Sequence, residues 1–425
     1  MSSFLRNVRV IDPAAGVDRL THARVSPEGV DLDVDGPLLG DEAFEGEGLW
    51  LLPGLVDLQV HFRQPGFEYK ETIETGSAAA LAGGITTVVV MPNTRPSLDT
   101  PERVRFEAEE AERVDGVRVL VAGAATEGLG GQRLTDHAAL KAAGAVAITD
   151  DGLPVLDDAL MEGSLRQCLA NDLLFMQHAE DTRLSQHAPM TLGPTSEALG
   201  VPGQPAEAEG VLVERDLALV RQIGARYHVL HTSTARSLAA VRAAKAEGLR
   251  VTCEASPHHL LLTDAAVAGL PGGDPLKKMN PPLRAEADRQ ALVAALADGT
   301  VDAVATDHAP HSAEEKAKGL LEAPFGVTGL EIAFPALLSF VHDGTISAER
   351  AVSLMTAGPA RVLQMEGKIG TFVGPHAPAD ACLVDPHQPW EVTEADLRGR
   401  SKNCAFLGHR FTGRVVATWM RGVLR

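Results

Sequence analysis

The sequence predicts an α/β protein: a (β/α)8 TIM-type barrel carrying a small β-sandwich domain built from both chain termini. Two observations lead there. From about residue 54 to residue 365, apolar runs of strand length alternate with segments of helical period, the mark of repeated βα units and a parallel sheet. Both ends of the chain instead read as short apolar stretches broken by Pro, Gly and Asp.

Taken in order, residues 1–53 carry only strand-like stretches. Eight candidate barrel strands follow, at Leu55–Val60, Ile85–Met91, Val117–Ala122, Ala145–Ile148, Leu173–His178, Tyr227–His231, Val251–Glu254 and Ala303–Thr306. Between them lie Ala- and Leu-rich segments with charges at helical spacing, such as Pro101–Val114, Glu207–Ile223, Thr234–Glu247 and Glu286–Asp298. Beyond residue 365 the strand pattern returns at Ala381–Val384 and Arg414–Trp419. The two ends are therefore expected to pair in one β domain, residues 1–53 with 366–425, around a barrel spanning 54–365. An open doubly wound sheet would need a Gly-rich phosphate turn after its first strand; Gly83-Gly84 precedes a strand instead.

A chain of 425 residues that is 45% hydrophobic can bury a large core. Its N-terminus has no basic stretch followed by an apolar one, and no run reaches the roughly 18 apolar residues of a membrane span, so a cytoplasmic protein is expected. The formal net charge of −19 argues against nucleic acid or an anionic membrane as partner. It does not exclude a small anionic substrate, which needs only a local cationic pocket. Cys168, Cys253, Cys382 and Cys404 form no Cys-x-x-Cys pair and suggest neither a disulfide framework nor a zinc knuckle.

Position singles out five residues. His61 follows the first predicted strand, Asp151 the fourth and Asp307 the eighth, while His178 and His231 end the fifth and sixth. In a barrel these ends converge on one mouth, where active sites lie. Imidazole and carboxylate donors together suit Zn2+ or a similar divalent ion, and Asp151 is placed to bridge two. One metal would take Asp151, His178 and His231; the other would take Asp151, His61 and Asp307. Such a site activates water and polarises a carbonyl, with Asp307 as the catalytic proton relay. Arg63 lies two residues beyond His61, Asn93 follows the second strand and His311 lies four residues beyond Asp307, and together they read as a receptor for a carboxylate.

At these residues the chain resembles the dihydroorotase family. The likeness rests on Pro53-Gly54-Leu55-Val56-Asp57, His61-Phe62-Arg63-Gln64-Pro65-Gly66, Met91-Pro92-Asn93-Thr94 and Thr149-Asp150-Asp151-Gly152. It continues through His178-Ala179-Glu180-Asp181, His231-Thr232-Ser233-Thr234, Pro257-His258-His259-Leu260, Asn280-Pro281-Pro282-Leu283-Arg284, Thr306-Asp307-His308-Ala309-Pro310-His311 and Ala323-Pro324-Phe325-Gly326. The resemblance implies the third step of pyrimidine synthesis, the reversible closure of N-carbamoyl-L-aspartate to (S)-dihydroorotate with loss of water. It also implies that Arg63, Asn93 and His311 hold the substrate carboxylate, and that Asn280 and the backbone at Phe325 and Gly326 contact the ring. It makes a homodimer or a complex with aspartate transcarbamoylase plausible. His258, His259 and His308 are expected to be structural.

The pattern breaks at one ligand. The family carries His-x-His after the first strand, and this chain has Gln59-Val60-His61. An amide carbonyl is a weaker donor to zinc than imidazole, so the metal of His61 and Asp307 is expected to bind less tightly, or only one of two ions to remain. A noncatalytic scaffold subunit for the transcarbamoylase would account for a lost ligand, but such subunits usually lose several. Allantoinases and dihydropyrimidinases are expected to bridge their metals with a carboxylated lysine, and Ala147-Ile148-Thr149-Asp150-Asp151 contains none.

Overall fold

The computed structural model describes residues 2–374 and 376–425. Five strands come first: β1 (Ser3–Asp12), β2 (Val17–Ser26), β3 (Gly29–Leu32), β4 (Glu42–Glu45) and β5 (Trp50–Pro53). Next are β6 (Leu55–Val60), β7 (Ile85–Val90), β8 (Arg118–Ala124), β9 (Ala145–Thr149) and β10 (Leu174–Gln177). A short parallel pair, β11 (Met190–Thr191) and β12 (Gly203–Gln204), precedes β13 (Arg226–Val229), β14 (Val251–Ala255) and β15 (Ala303–Val304). The chain ends in β16 (Ala381–Glu391), β17 (Arg410–Met420) and β18 (Val423–Leu424).

With β11 and β12 set apart, β6 to β15 form one eight-stranded sheet whose neighbours run in chain order. Parallel pairing throughout, with helices in the connections, gives the barrel. It closes where Val60 bridges His308 and the His61 amide donates to the His308 carbonyl at 2.8 Å. Asp57 locks the same seam, its carboxylate accepting from Thr306 N at 3.1 Å, Thr306 Oγ1 at 2.6 Å and Gln59 N at 3.1 Å. Thr306 is thereby drawn out of the ladder, which is why β15 stops short of the apolar run from Ala303 to Thr306.

The strands are mostly apolar because both faces are buried, with polar residues such as Asp57, Gln59, Gln177 and Glu254 as the exceptions. Val56, Leu58, Val89, Met91, Leu174 and Met176 belong to the inner core, while Val88, Val90 and Phe175 belong to the larger core outside it. Helices start where the chain supplies caps: Thr100 accepts from Arg103 N ahead of Pro101, and Thr234 from Ser237 N ahead of Ala235–Ala246.

Strands from both ends share a second eight-stranded sheet, ordered β18-β17-β16-β5-β1-β2-β3 with β4 beside β1. The join is antiparallel between β5 and β16, where Leu51 faces Leu383. Register shifts in β1, between Leu5 and Val8, and in β16 let the sheet bend over its own core of Leu5, Val8, Val10, Ala23, Val25, Leu51, Leu383 and Trp419. All four cysteines are buried and free, and no described helix is long and apolar enough to cross a membrane.

Candidate active site

His61, Asp151, His178, His231 and Asp307 all lie just past the C-terminal ends of β6, β9, β10, β13 and β15. All five are buried. Asp151 sits between the others. Its Oδ1 is 3.4 Å from His178 Nδ1 and 3.5 Å from His231 Nε2, and those two nitrogens are 2.9 Å apart. A tetrahedral zinc with bonds of about 2.0–2.1 Å separates its ligands by roughly 3.3 Å, so this triangle fits one divalent ion. The donor atoms of these three residues lie within 4.8 Å of one another.

The other carboxylate oxygen faces the rest of the set. Asp151 Oδ2 is 3.4 Å from His61 Nε2, which is 3.2 Å from Asp307 Oδ1. Gln59 Nε2 donates to the same Oδ2 at 3.0 Å, and the Gln59 carbonyl Oε1 is buried without a hydrogen-bond partner. Adjacent Asp150 is turned away, accepting from the Thr126 amide and hydroxyl.

A further layer orients these donors. Glu180 Oε2 accepts from His178 Nε2 at 3.1 Å, which leaves Nδ1 as the free donor toward Asp151 and a metal. Ser185 and Asn280 also donate to Glu180, the latter at 2.7 Å. On His61, Nδ1 donates to Asn93 Oδ1 at 2.9 Å and Nε2 points at the carboxylates. Burial opposes the Asp151 charge, yet hydrogen bonds from His178 and His231 hold its carboxyl well below the usual range. Burial likewise works against a His178 cation, but Asp151 and Glu180 outweigh it and push the imidazole up to about 10.

Above the donors is a cavity of about 280 Å³, lined by His61, Asp151, His178 and Asp307 together with Arg63, Asn93, Asn280, His311, Phe325 and Gly326. His231 and Gln59 lie beneath that surface. Burial pulls the Arg63 guanidinium down to about 10, which leaves it charged near neutral pH. His311 Nδ1 accepts from Lys70 Nζ at 3.2 Å while its Nε2 donates to Phe325 O at 2.8 Å, so the ring is held neutral between them. At Gly326 φ is +129°, and a Cβ there would come within 2.6 Å of Ala309 Cβ and 3.2 Å of His311 Cδ2; only glycine suits this wall.

Sequence reasoning overlooked several of these residues. Glu180 was visible two positions after His178 but carried no role, and Leu129, Leu153 and His187 line the cavity from loops without a motif. Asn403 comes from the C-terminal segment and left no local signal. Its Oδ1 accepts from His311 N at 3.0 Å, and its Nδ2 donates to Ala309 O and Gly326 O at 3.2 and 3.1 Å. Of the unassigned histidines, His259 donates to Pro281 O at 2.9 Å beside Asn280, and His308 serves the barrel seam.

A parallel barrel with a buried cluster of two imidazoles and a carboxylate beneath a cavity that carries one guanidinium defines a hydrolase of the amidohydrolase superfamily. Among solved structures, the fold is similar to the L-hydantoinase (dihydropyrimidinase) of Arthrobacter aurescens, with a TM-score of 0.86 at 24% identity over 100% of this chain and 96% of that one. A dihydropyrimidinase of Brevibacillus agri gives the same TM-score at 22% identity, covering 100% of this chain and 95% of that one. At such identities the likeness concerns the fold alone. Sequence relatives narrow it: dihydroorotases of Geobacter sp. (strain M21) and Desulfotalea psychrophila are 41% and 42% identical, each over 99% of this chain and 98% and 99% of their own lengths. The model of the family described as dihydro-orotase-like matches residues 48–237. The chain belongs to the dihydroorotase family.

Proposed function

We propose that this chain catalyses the reversible cyclisation of N-carbamoyl-L-aspartate to (S)-dihydroorotate in pyrimidine biosynthesis, with zinc held by Asp151, His178 and His231. The observation that carries this reading is the cavity itself, where a guanidinium and an amide stand across from the metal donors. Both substrate and product are carboxylates with an amide to make or break a few bonds away.

Arg63 presents its fork to that carboxylate, and Asn93, whose Oδ1 is engaged by His61, keeps its NH2 free to join. Asn280 and the backbone at Phe325 and Gly326 hold the ring. A divalent ion in the Asp151 site supplies Lewis acidity, polarising the ring carbonyl and acidifying water. Asp307, 3.2 Å from His61 Nε2 and facing the cavity, takes the proton from the attacking water and returns it to the departing ring nitrogen in the hydrolytic direction. In the biosynthetic direction it moves the same proton in reverse.

The test is steady-state turnover of L-dihydroorotate by purified protein, with and without added zinc, counting bound metal in the same sample. Turnover that is lost on chelation supports the reading. A folded protein inert at every zinc level would sink it and favour a scaffold for aspartate transcarbamoylase, a role for which Gln59 is the single observation in favour.

A further inference from the structure

We infer that this chain binds one metal ion rather than two, and that the Gln59 side-chain amide stands where a second ion would sit, capping Asp151 Oδ2. The inference rests on the metal-dependent reading above and concerns how many ions that site takes.

Gln59 is fully buried at the end of β6, so its amide has no water to turn to. A carboxylate only accepts hydrogen bonds, and the end of the amide facing Asp151 Oδ2 at 3.0 Å must therefore be the NH2 group. That choice fixes the carbonyl on the far side, where Oε1 is the orphan. A Gln serving as a metal ligand would have to present its oxygen instead. The amide cannot do both: turned toward a metal, it withdraws its N–H from Asp151.

The two faces of Asp151 are thus unequal. Oδ1 shares a compact triangle with His178 Nδ1 and His231 Nε2, whereas among the described residues Asp151, His61 and Asp307 do not form a comparable group of three donors. On the second face His61 Nε2 is 3.2 Å from Asp307 Oδ1 and 3.4 Å from Asp151 Oδ2, but the three donors do not close within 4.8 Å of one another, and the Gln59 N–H occupies one of the two lone pairs of Oδ2 on the side where a bridging ion would have to approach. A neutral donor that cannot be lost by chelation replaces an ion that can. His61 and Asp307 are left for substrate and proton handling.

Wild-type protein saturated with zinc and then dialysed should retain one ion per chain by elemental mass spectrometry. Its cobalt form should show the electron paramagnetic resonance of an isolated high-spin ion. Gln59→His should retain two, with the cobalt signal attenuated by coupling between them. His61→Ala should still hold one. Two ions in the wild type, falling to one in His61→Ala, would overturn the inference whatever the histidine variant does. Turnover in the same samples separates this from the proposed reaction: an inert chain with one ion defeats the reaction alone, and an active chain with two defeats only the ion count.

Discussion

Three residues at the barrel mouth hold backbone conformations that side chains with a Cβ rarely adopt: Arg63 at φ 62°, His231 at φ 27° and Asp307 at φ 49°. Each such residue costs on the order of 1 kcal/mol or more, and together they turn a guanidinium, an imidazole and a carboxylate into one space. Asp307→Asn keeps the shape but cannot accept a proton, and turnover should fall by about 10³ or more while circular dichroism and zinc content hold steady. Activity surviving in that variant would move the proton relay elsewhere. Glu180 acts through His178. Glu180→Gln keeps the size but turns an ionised acceptor into a neutral amide, so zinc should be retained some 10- to 100-fold less tightly, measured by competition with a chelator. Unchanged affinity would mean that the 3.1 Å contact does not set the donor nitrogen.

Among the elements, the loops after β15 shape the pocket and the C-terminal segment holds them. Asn403 joins His311, Ala309 and Gly326, and its removal strands an amide and two carbonyls in a buried place. For Asn403→Ala we expect KM for dihydroorotate to rise about tenfold or more with a smaller change in kcat and no loss of zinc, because the metal donors stand on other strands. A pure loss of kcat at constant KM would contradict a role in shaping the carboxylate pocket. The helix Pro101–Val114 gives a prediction of another kind. Glu107 on it is buried with Oε2 unpartnered, and burial, with Glu110 and Glu68 nearby, pushes its carboxyl up to about 8. Since the unfolded chain loses this proton near pH 4.5, the folded state binds more protons between there and pH 8, and stability contributed by this group drains away as pH rises through that window. Glu107→Gln should match the wild type in urea unfolding at pH 5 and exceed it by about 2 kcal/mol or more at pH 8.5. Equal stabilities at both would show that the carboxyl is not desolvated.

Across the whole molecule, the terminal sheet and the barrel are joined by polar ties as well as by packing. Gly54 N donates to Asp380 O at 2.9 Å, Arg118 meets the Asp380 carboxylate at 3.0 Å, and Arg400 N reaches Glu71 Oε1 at 2.9 Å. The barrel itself was legible in the chain because strands buried on both faces are predominantly apolar, as in Ile85–Val90, where only two threonines interrupt the run, and because the charged residues and histidines past their ends stand out against that background. The meeting of the two termini was legible because strands left without partners at either end must find one another. Less was visible where structure depends on a partner far away. The shortness of β15 follows from the grip of Asp57 on Thr306, 249 residues apart, and no local pattern reveals it.

By itself, then, the sequence determined the alternation of elements, the order of the strands and the presence of six chemically apt residues at strand ends, Gln59 among them. These are matters of side-chain chemistry and period, which each segment carries alone. Only the tertiary structure decided that His178 offers Nδ1, that the Gln59 N–H rather than its carbonyl faces Asp151 across 92 residues of chain, and that Asn403 braces the pocket from outside the barrel. The reason is geometric. Hydrogen bonds discriminate over a few tenths of an ångström, and distances of that kind between remote residues exist only once the barrel has closed.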